Sequence, residues 1–172
     1  MTAHDKLVVQ VPIGGIAVVH PPKIVSTLLG SCVGIIVQDL KHHVAVLAHI
    51  VRPDGAGVGM GPGYFANQAA PMARDLALQN GAEPKQLIVR MAGGGSMSSG
   101  MSDDVGRRNA EAIKEATYKL GMVFGGHVEG PADGGCVLFV DPANGRIQVR
   151  MLRGGQFDDK QWRKLVKDVV AP

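Results

Sequence analysis

The stretch "STLLGSCVGIIVQDLKHHVAVLAHIVRP", residues 26–53, contains two apolar runs, 33–38 and 44–51, separated by the polar "DLKHH". Both runs are rich in Val, Ile and Ala and are bounded by turn residues, which predicts two strands of a β-hairpin. Neither run alternates apolar with polar residues. Both faces of the hairpin must therefore be covered, and the fold has to be layered.

The hairpin also carries chemistry. Antiparallel pairing keeps the sum of paired residue numbers constant, so if Gln38 faces His43 across a four-residue loop, Cys32 falls directly opposite His49. Their Cβ atoms would then be about 4.5–5.5 Å apart on one face. An imidazole beside a thiol can take its proton and create a nucleophile, which makes Cys32 the expected low-pKa thiol. Gly30 and Ser31 form a turn ahead of Cys32 whose backbone N–H groups are placed to meet an oxyanion. A third group has to orient the imidazole; Ser26 and Thr27, on the preceding strand, are the candidates, and strand alternation lets only one of them face it.

Other readings of these residues stand beside this one. Cysteine is among the most often buried residue types, and Cys136, in "GGCVLFVD", reads as core filling. A zinc site from Cys32, His42, His43 and His49 lacks Cys-x-x-Cys or His-x-x-x-His spacing, so no metal is expected.

Outward from the hairpin, short β-rich runs recur at 6–11, 15–19, 24–29, 86–91, 122–127, 136–140 and 146–152. Two segments carry helical spacing instead. Phe65, Ala69, Met72 and Leu76 share one face of a segment ending at Gly81, with Pro71 expected to kink that helix or delay its start. Ser102, Asp103 and Asp104 supply cap chemistry for a second helix, with Ala112, Ile113, Ala116 and Leu120 as its stripe and Gly121 as its stop. A tail helix over about 158–169 would bury Trp162, Leu165 and Val169. Glycine-rich loops at 53–63 and 92–104 lack the Gly-Lys-Ser/Thr of a phosphate loop.

The whole chain fits these local signals. With 172 residues, 45% hydrophobic, 4% aromatic and 24 glycines, it is sized for one domain over residues 1–172, with an aliphatic core and many turns. The net charge of +3 is scattered apart from Arg107, Arg108 and the tail's Lys160, Arg163, Lys164 and Lys167, so nucleic-acid binding is not expected. The start "MTAHDKLVVQVPIGG" has no secretory pattern, and no apolar run reaches the ~20 residues of a membrane span. Two lone cysteines suit a reducing cytoplasm.

The motifs together have a resemblance. Leu29-Gly30-Ser31-Cys32-Val33, then Ala48-His49 and Arg52-Pro53, resembles the Leu-Gly-Ser-Cys-Val and Ala-His segments of the CheD family of chemoreceptor glutamine deamidases, with the same Cys to His separation. Gly93-Gly94-Gly95-Ser96-Met97 resembles the family's Gly-Gly-Ala-x-Met loop, and Val105-Gly106-Arg107-Arg108-Asn109 its Ile-Gly-x-Arg-Asn. Order and spacing agree over roughly residues 8–152.

This resemblance implies an α/β (α+β) fold, a layered sandwich of mixed β-sheets with two main helices, to which the periodicity adds the C-terminal helix. It implies a cysteine hydrolase without cofactor that converts glutamines of methyl-accepting chemotaxis receptors to glutamates, with Cys32 as nucleophile and His49 as base. The family's third residue, a threonine, falls on Ser26 by ungapped count, with Thr27 beside it. Gly93, Gly94, Ser96, Met97, Arg108 and Asn109 would form a substrate or partner loop. A CheC-type phosphatase is the further partner implied, and a non-catalytic adaptor binding receptors or that phosphatase is the rival reading. Two departures from the pattern bear on partner choice: Gly95 stands for an alanine, and "VEGPADGG" at 128–135 lacks the family's Asp-x-Gly-Gly followed by arginine.

Overall fold

The computed structural model describes residues 7–57, 59–95, 104–153 and 159–170. Nine strands form within them: β1 Val8–Gln10, β2 Ile16–Val19, β3 Ile24–Leu29, β4 Val33–Asp39, β5 Val44–Ile50, β6 Ile88–Gly93, β7 Val123–Glu129, β8 Gly134–Asp141 and β9 Arg146–Arg153. Three helices accompany them: α1 Ala66–Gln79, α2 Val105–Lys119 and α3 Asp159–Val170. The strands make two mixed sheets, one ordered β1-β3-β8-β9 and the other β2-β5-β4-β6-β7.

The hairpin at the centre explains the layering. All seven residues of β4 and all seven of β5 are buried. One set of alternate residues, including Val33, Ile35, Val46 and Ile50, packs under α1 and α2. The other set, including Ile36, Ala45 and Leu47, packs against Val25, Leu29 and Leu138 of the facing sheet. That second sheet is covered on its far side by α3, where Val166 is buried and Trp162 stacks on Phe139 with ring centroids 5.6 Å apart. The order of layers is helices, sheet, sheet, helix. Each fully buried aliphatic residue of β4 and β5 contributes roughly 1.5–3 kcal/mol relative to exposure, which is why no polar alternation is tolerated there.

The expected pairing of Cys32 with His49 needs correction. The ladder joins Asp39 to Val44, Gly34 to His49 and Val33 to Ile50, so Gly34 lies opposite His49. The physical reason is the Asp39 side chain, which accepts hydrogen bonds from the main-chain N–H of Lys41 and His42 at 2.9 and 3.0 Å. With Asp39 capping the turn, the loop occupies residues 40–43 instead of 39–42, and His43 closes it at φ 55°. Each strand moves by one residue and the register sum by two. A shift of two leaves every side chain on its original face.

The buried face of α1 also differs from the expected stripe. Ala66, Ala69, Ala70, Ala73 and Ala77 are its buried residues, while Met72 is 41% exposed. Small side chains let the helix approach β4 and β5 closely, and this outweighs the hydrophobicity of Met72. Pro71 lies within the helix and does not delay its start. The carbonyl deprived of a helical partner there belongs to Asn67, an exposed residue.

In α2, Asp104 is the N-cap and accepts from Arg107 N–H at 3.2 Å, and Ile113 is fully buried with Ala112, Ala116 and Leu120 packed beside it. Ser102 and Asp103 lie outside the described residues.

Candidate functional site

Thr27 stands at the centre of β3 and His49 near the end of β5, in different sheets, with both side chains directed into the space between. Thr27 Oγ1 lies 2.8 Å from His49 Nδ1 and 2.8 Å from the carbonyl oxygen of Val11. A hydroxyl has one proton to give. The Val11 carbonyl can only accept, so the threonine proton goes there, and the oxygen accepts from His49 Nδ1–H. This fixes the tautomer: Nε2 carries the free lone pair. His49 is 2% exposed and its Nε2 has no hydrogen-bond partner in the structure.

Strand alternation resolves the choice between the two hydroxyls. Ser26 points to the opposite face of β3, where its Oγ donates to the Leu138 carbonyl at 2.6 Å. The assignment by ungapped count is thereby corrected in geometric terms: it is Thr27 that reaches the imidazole. The Val11 carbonyl that fixes the hydroxyl could not have been found from side-chain patterns, because it is a backbone group delivered by β1 pairing in parallel with β3.

Cys32 is partly buried and packs against the cluster that holds Ile36, Leu47 and Ala92, the same inter-sheet side as His49. Its backbone is held from β6. Gly94 N–H donates to the Cys32 carbonyl at 2.8 Å, and the Gly93 carbonyl accepts from Gly130 N–H and from His127 Nε2, both at 3.0 Å. Gly93 adopts φ 94°, and a Cβ on it would sit 2.6 Å from the Cys32 carbonyl oxygen. Gly93 and Gly94 thus brace the chain at Cys32. Gly30 and Ser31, also partly buried, make the turn that leads into it.

The histidine is anchored as firmly. Its N–H donates to the Gly15 carbonyl at 3.0 Å, and its carbonyl accepts from Gly14 at 3.1 Å. A surface groove of about 400 Å³ reaches Thr27 and His49 between Gln10, Pro12 and Ile13. Ile13 at 70% and Leu28 at 41% exposure flank it with apolar surface.

Burial governs both titrations. It lowers the His49 pKa to about 4 and raises that of Cys32, against the field of the Arg52 guanidinium, which opposes the rise. The expectation of a low-pKa Cys32 is therefore corrected: the resting site holds a neutral thiol and a neutral imidazole. Cys136 is fully buried and pushed up to about 11.

The remaining predicted residues separate. Asn109 is fully buried and its Nδ2 donates to the Val51 carbonyl at 3.1 Å, so it ties α2 to the end of β5 and does not belong to a surface loop. Arg108 is exposed at the start of α2. Ser96 and Met97 lie outside the described residues. His42 bonds Asp39 and His43 bonds the Pro142 carbonyl, at the far end of the hairpin from Cys32, which removes the zinc arrangement. No group of three or more metal-ligating side chains occurs among the described residues.

The two departures from the family pattern meet in space. A Cβ on Gly95 would lie 2.5 Å from the Pro131 carbonyl oxygen, so the turn within 128–135 occupies the place an alanine methyl would need.

A family model described as CheD chemotactic sensory transduction matches residues 53–151. Named relatives extend the similarity across the hairpin. The chemoreceptor glutamine deamidase CheD of Halalkalibacterium halodurans is 34% identical over 158 residues, covering 87% of this chain and 96% of that one. That of Thermotoga maritima is 31% identical, covering 84% and 92%. A probable chemoreceptor glutamine deamidase CheD of Methanococcus maripaludis is 33% identical over 147 residues, covering 84% and 95%. Alignments of that extent leave too few residues over to begin beyond Cys32.

Proposed function

The chain belongs to the CheD family, and on that premise we propose that it deamidates glutamine side chains of chemotaxis receptors with Cys32 as nucleophile, His49 as base and Thr27 as the group that orients the base. The observation that carries the assignment is the bond between Thr27 Oγ1 and His49 Nδ1. It leaves a buried, unpartnered Nε2 lone pair, on the side of the sheet where Cys32 packs.

The chemistry follows from the neutral pair. As Cys32 Sγ attacks the carboxamide carbon, Nε2 takes the thiol proton, the C–S bond forms and the carbonyl electron pair moves to oxygen. Backbone N–H groups of the turn at Gly30, Ser31 and Cys32 stabilise that oxyanion. The C–N bond then breaks as Nε2–H delivers its proton to nitrogen, releasing ammonia and leaving a thioester. Water, deprotonated by Nε2, adds to the thioester carbon; the thiolate leaves and regains its proton. One water is consumed, one ammonia released, and glutamine becomes glutamate. Hydrogen bonds of this kind tighten when substrate binds, which accounts for an Nε2 without a partner in the free protein.

The resemblance also supports a CheC-type phosphatase as a docking partner. Intact-mass spectrometry of receptor cytoplasmic fragments incubated with the protein tests the proposal through a ~1 Da gain for each glutamine converted. Cys32→Ala and His49→Ala should abolish the gain while leaving receptor binding in place. Conversion at the parent rate by Cys32→Ala would end the mechanism, and binding without conversion by the parent protein would favour the adaptor role.

A further inference from the structure

Where β5 ends, the backbone of Arg52 is hydrogen-bonded to the segment that leads into α1. Arg52 N–H donates to the Tyr64 carbonyl at 3.1 Å, the Arg52 carbonyl accepts from Ala66 at 2.9 Å, and the residue forms a bridge with Phe65. Its side chain is exposed. Arg107 pairs with Asp104 and Glu111, Arg74 with Asp75, Lys41 with Glu83 and Lys119 with Glu115. Among the described residues, the Arg52 guanidinium has no such carboxylate.

Arg52 and Arg108 line the same open groove of about 300 Å³, together with Pro53, Asp54, Phe65 and Val105, so two guanidinium groups face it against one carboxylate. The groove lies at the same end of the sheet as the nucleophile. The last rung of the β4–β5 ladder is Val33 with Ile50, so Cys32 and Arg52 leave the sheet together at the same end. The guanidinium is close enough to act on the thiol electrostatically.

We propose that Arg52 and Arg108 are specificity-determining residues, selecting target glutamines that have a carboxylate about one helical turn away on the same face. The inference rests on the deamidase reading. On a helical substrate, residues three and four apart lie about 5–6 Å from one another, so a glutamine delivered to Cys32 brings its neighbour to the adjoining groove. Guanidinium groups suit a carboxylate there, and their field adds to local attraction of acidic substrate. Because each turnover makes a carboxylate, conversion of one glutamine improves the neighbouring glutamine as a substrate. Paired sites would be converted in order, the second faster than the first.

Two forms of one receptor fragment test this, identical except for Glu or Gln at the position four residues from a single target glutamine. Conversion rates are followed by mass at low and moderate salt. The protein should convert the Glu form about three- to tenfold faster, with the ratio shrinking as salt rises. Arg52→Gln should bring the ratio near one whatever it does to the absolute rate, Arg108→Gln should reduce it, and Arg52→Lys should restore part of it. Equal rates on the two forms, or a ratio unchanged in Arg52→Gln, would overturn the inference and leave the deamidase reading intact. Conversion of neither form by the parent protein would remove that reading and the inference with it.

Discussion

Thr27 Oγ1 sits 2.8 Å from His49 Nδ1 and 2.8 Å from the Val11 carbonyl oxygen, an arrangement that permits one proton distribution. The imidazole is held as the Nδ1–H tautomer, and its basic nitrogen, Nε2, is buried without a partner.

Thr27→Ala should therefore lower turnover by about ten- to a hundredfold, because the ring loses the partner that sets its tautomer and orientation. Thr27→Ser, which keeps the hydroxyl, should recover much of that. Ser26→Ala should retain activity and cost about 1 kcal/mol of stability, through loss of the buried bond to Leu138. Turnover and urea midpoints of the three variants on one receptor fragment check the contrast; equal losses of turnover in Ser26→Ala and Thr27→Ala would contradict it.

The His49 titration has a signature in stability. Its folded pKa is about 4, below the ~6.5 of an unfolded histidine, so protons bind the unfolded chain first as pH falls. Stability from this residue is present above pH ~6.5 and is lost progressively down to about pH 4, by roughly 3 kcal/mol. Urea unfolding of the parent and His49→Gln between pH 7.5 and 4 should show a shallower decline in the variant. The Asp39 carboxyl titrates in a separate window. Burial alone would raise its pKa, but bonds from the Glu83 N–H and His42 prevail and hold it low, so its contribution is lost only at more acid pH.

Alkylation separates the two thiols. Burial raises both pKa values, so native Cys32 should react slowly with iodoacetamide near neutrality and faster through alkaline pH, with a midpoint above that of an ordinary thiol. Cys136, fully buried, should be labelled only on unfolding. Arg52→Gln should move the Cys32 midpoint further up, since the guanidinium favours the thiolate. Peptide mapping of the adducts across pH gives the answer, and a Cys32 that is mostly thiolate at pH 6 would refute the neutral-pair mechanism.

Restoring the family's alanine at one position should be harmful here. Gly95→Ala places a methyl 2.5 Å from the Pro131 carbonyl, so the turn at 128–135 has to move or the loop that braces Cys32 has to. A loss of about 1–3 kcal/mol is expected, together with reduced turnover. Replacing 128–135 by a relative's segment in the same variant should recover both. A fully stable and active Gly95→Ala would show that the two departures are independent.

How much of this was legible in the chain differs from element to element. The run 24–29 coincides with β3, the runs at 33 and 44 begin β4 and β5, and two apolar faces on one hairpin already required layers above and below it. These are local consequences of side-chain type and period, which residues impose on themselves. The presence of Cys32 and His49 on a common side was legible for the same reason, since face depends only on the parity of the register.

What the sequence left open was decided by contacts between distant segments. The register turned on whether Asp39 ended the strand or began the loop, a choice settled by its bonds to Lys41, His42 and the Glu83 N–H. Ser26 and Thr27 are adjacent and chemically alike; only the stacking of one sheet on the other determines that Thr27 meets His49 while Ser26 meets Leu138. The titrations depend on burial, which spacing cannot measure. Chain spacing fixed which groups could meet, and the inter-sheet packing selected the threonine, the tautomer and the neutral state of the pair.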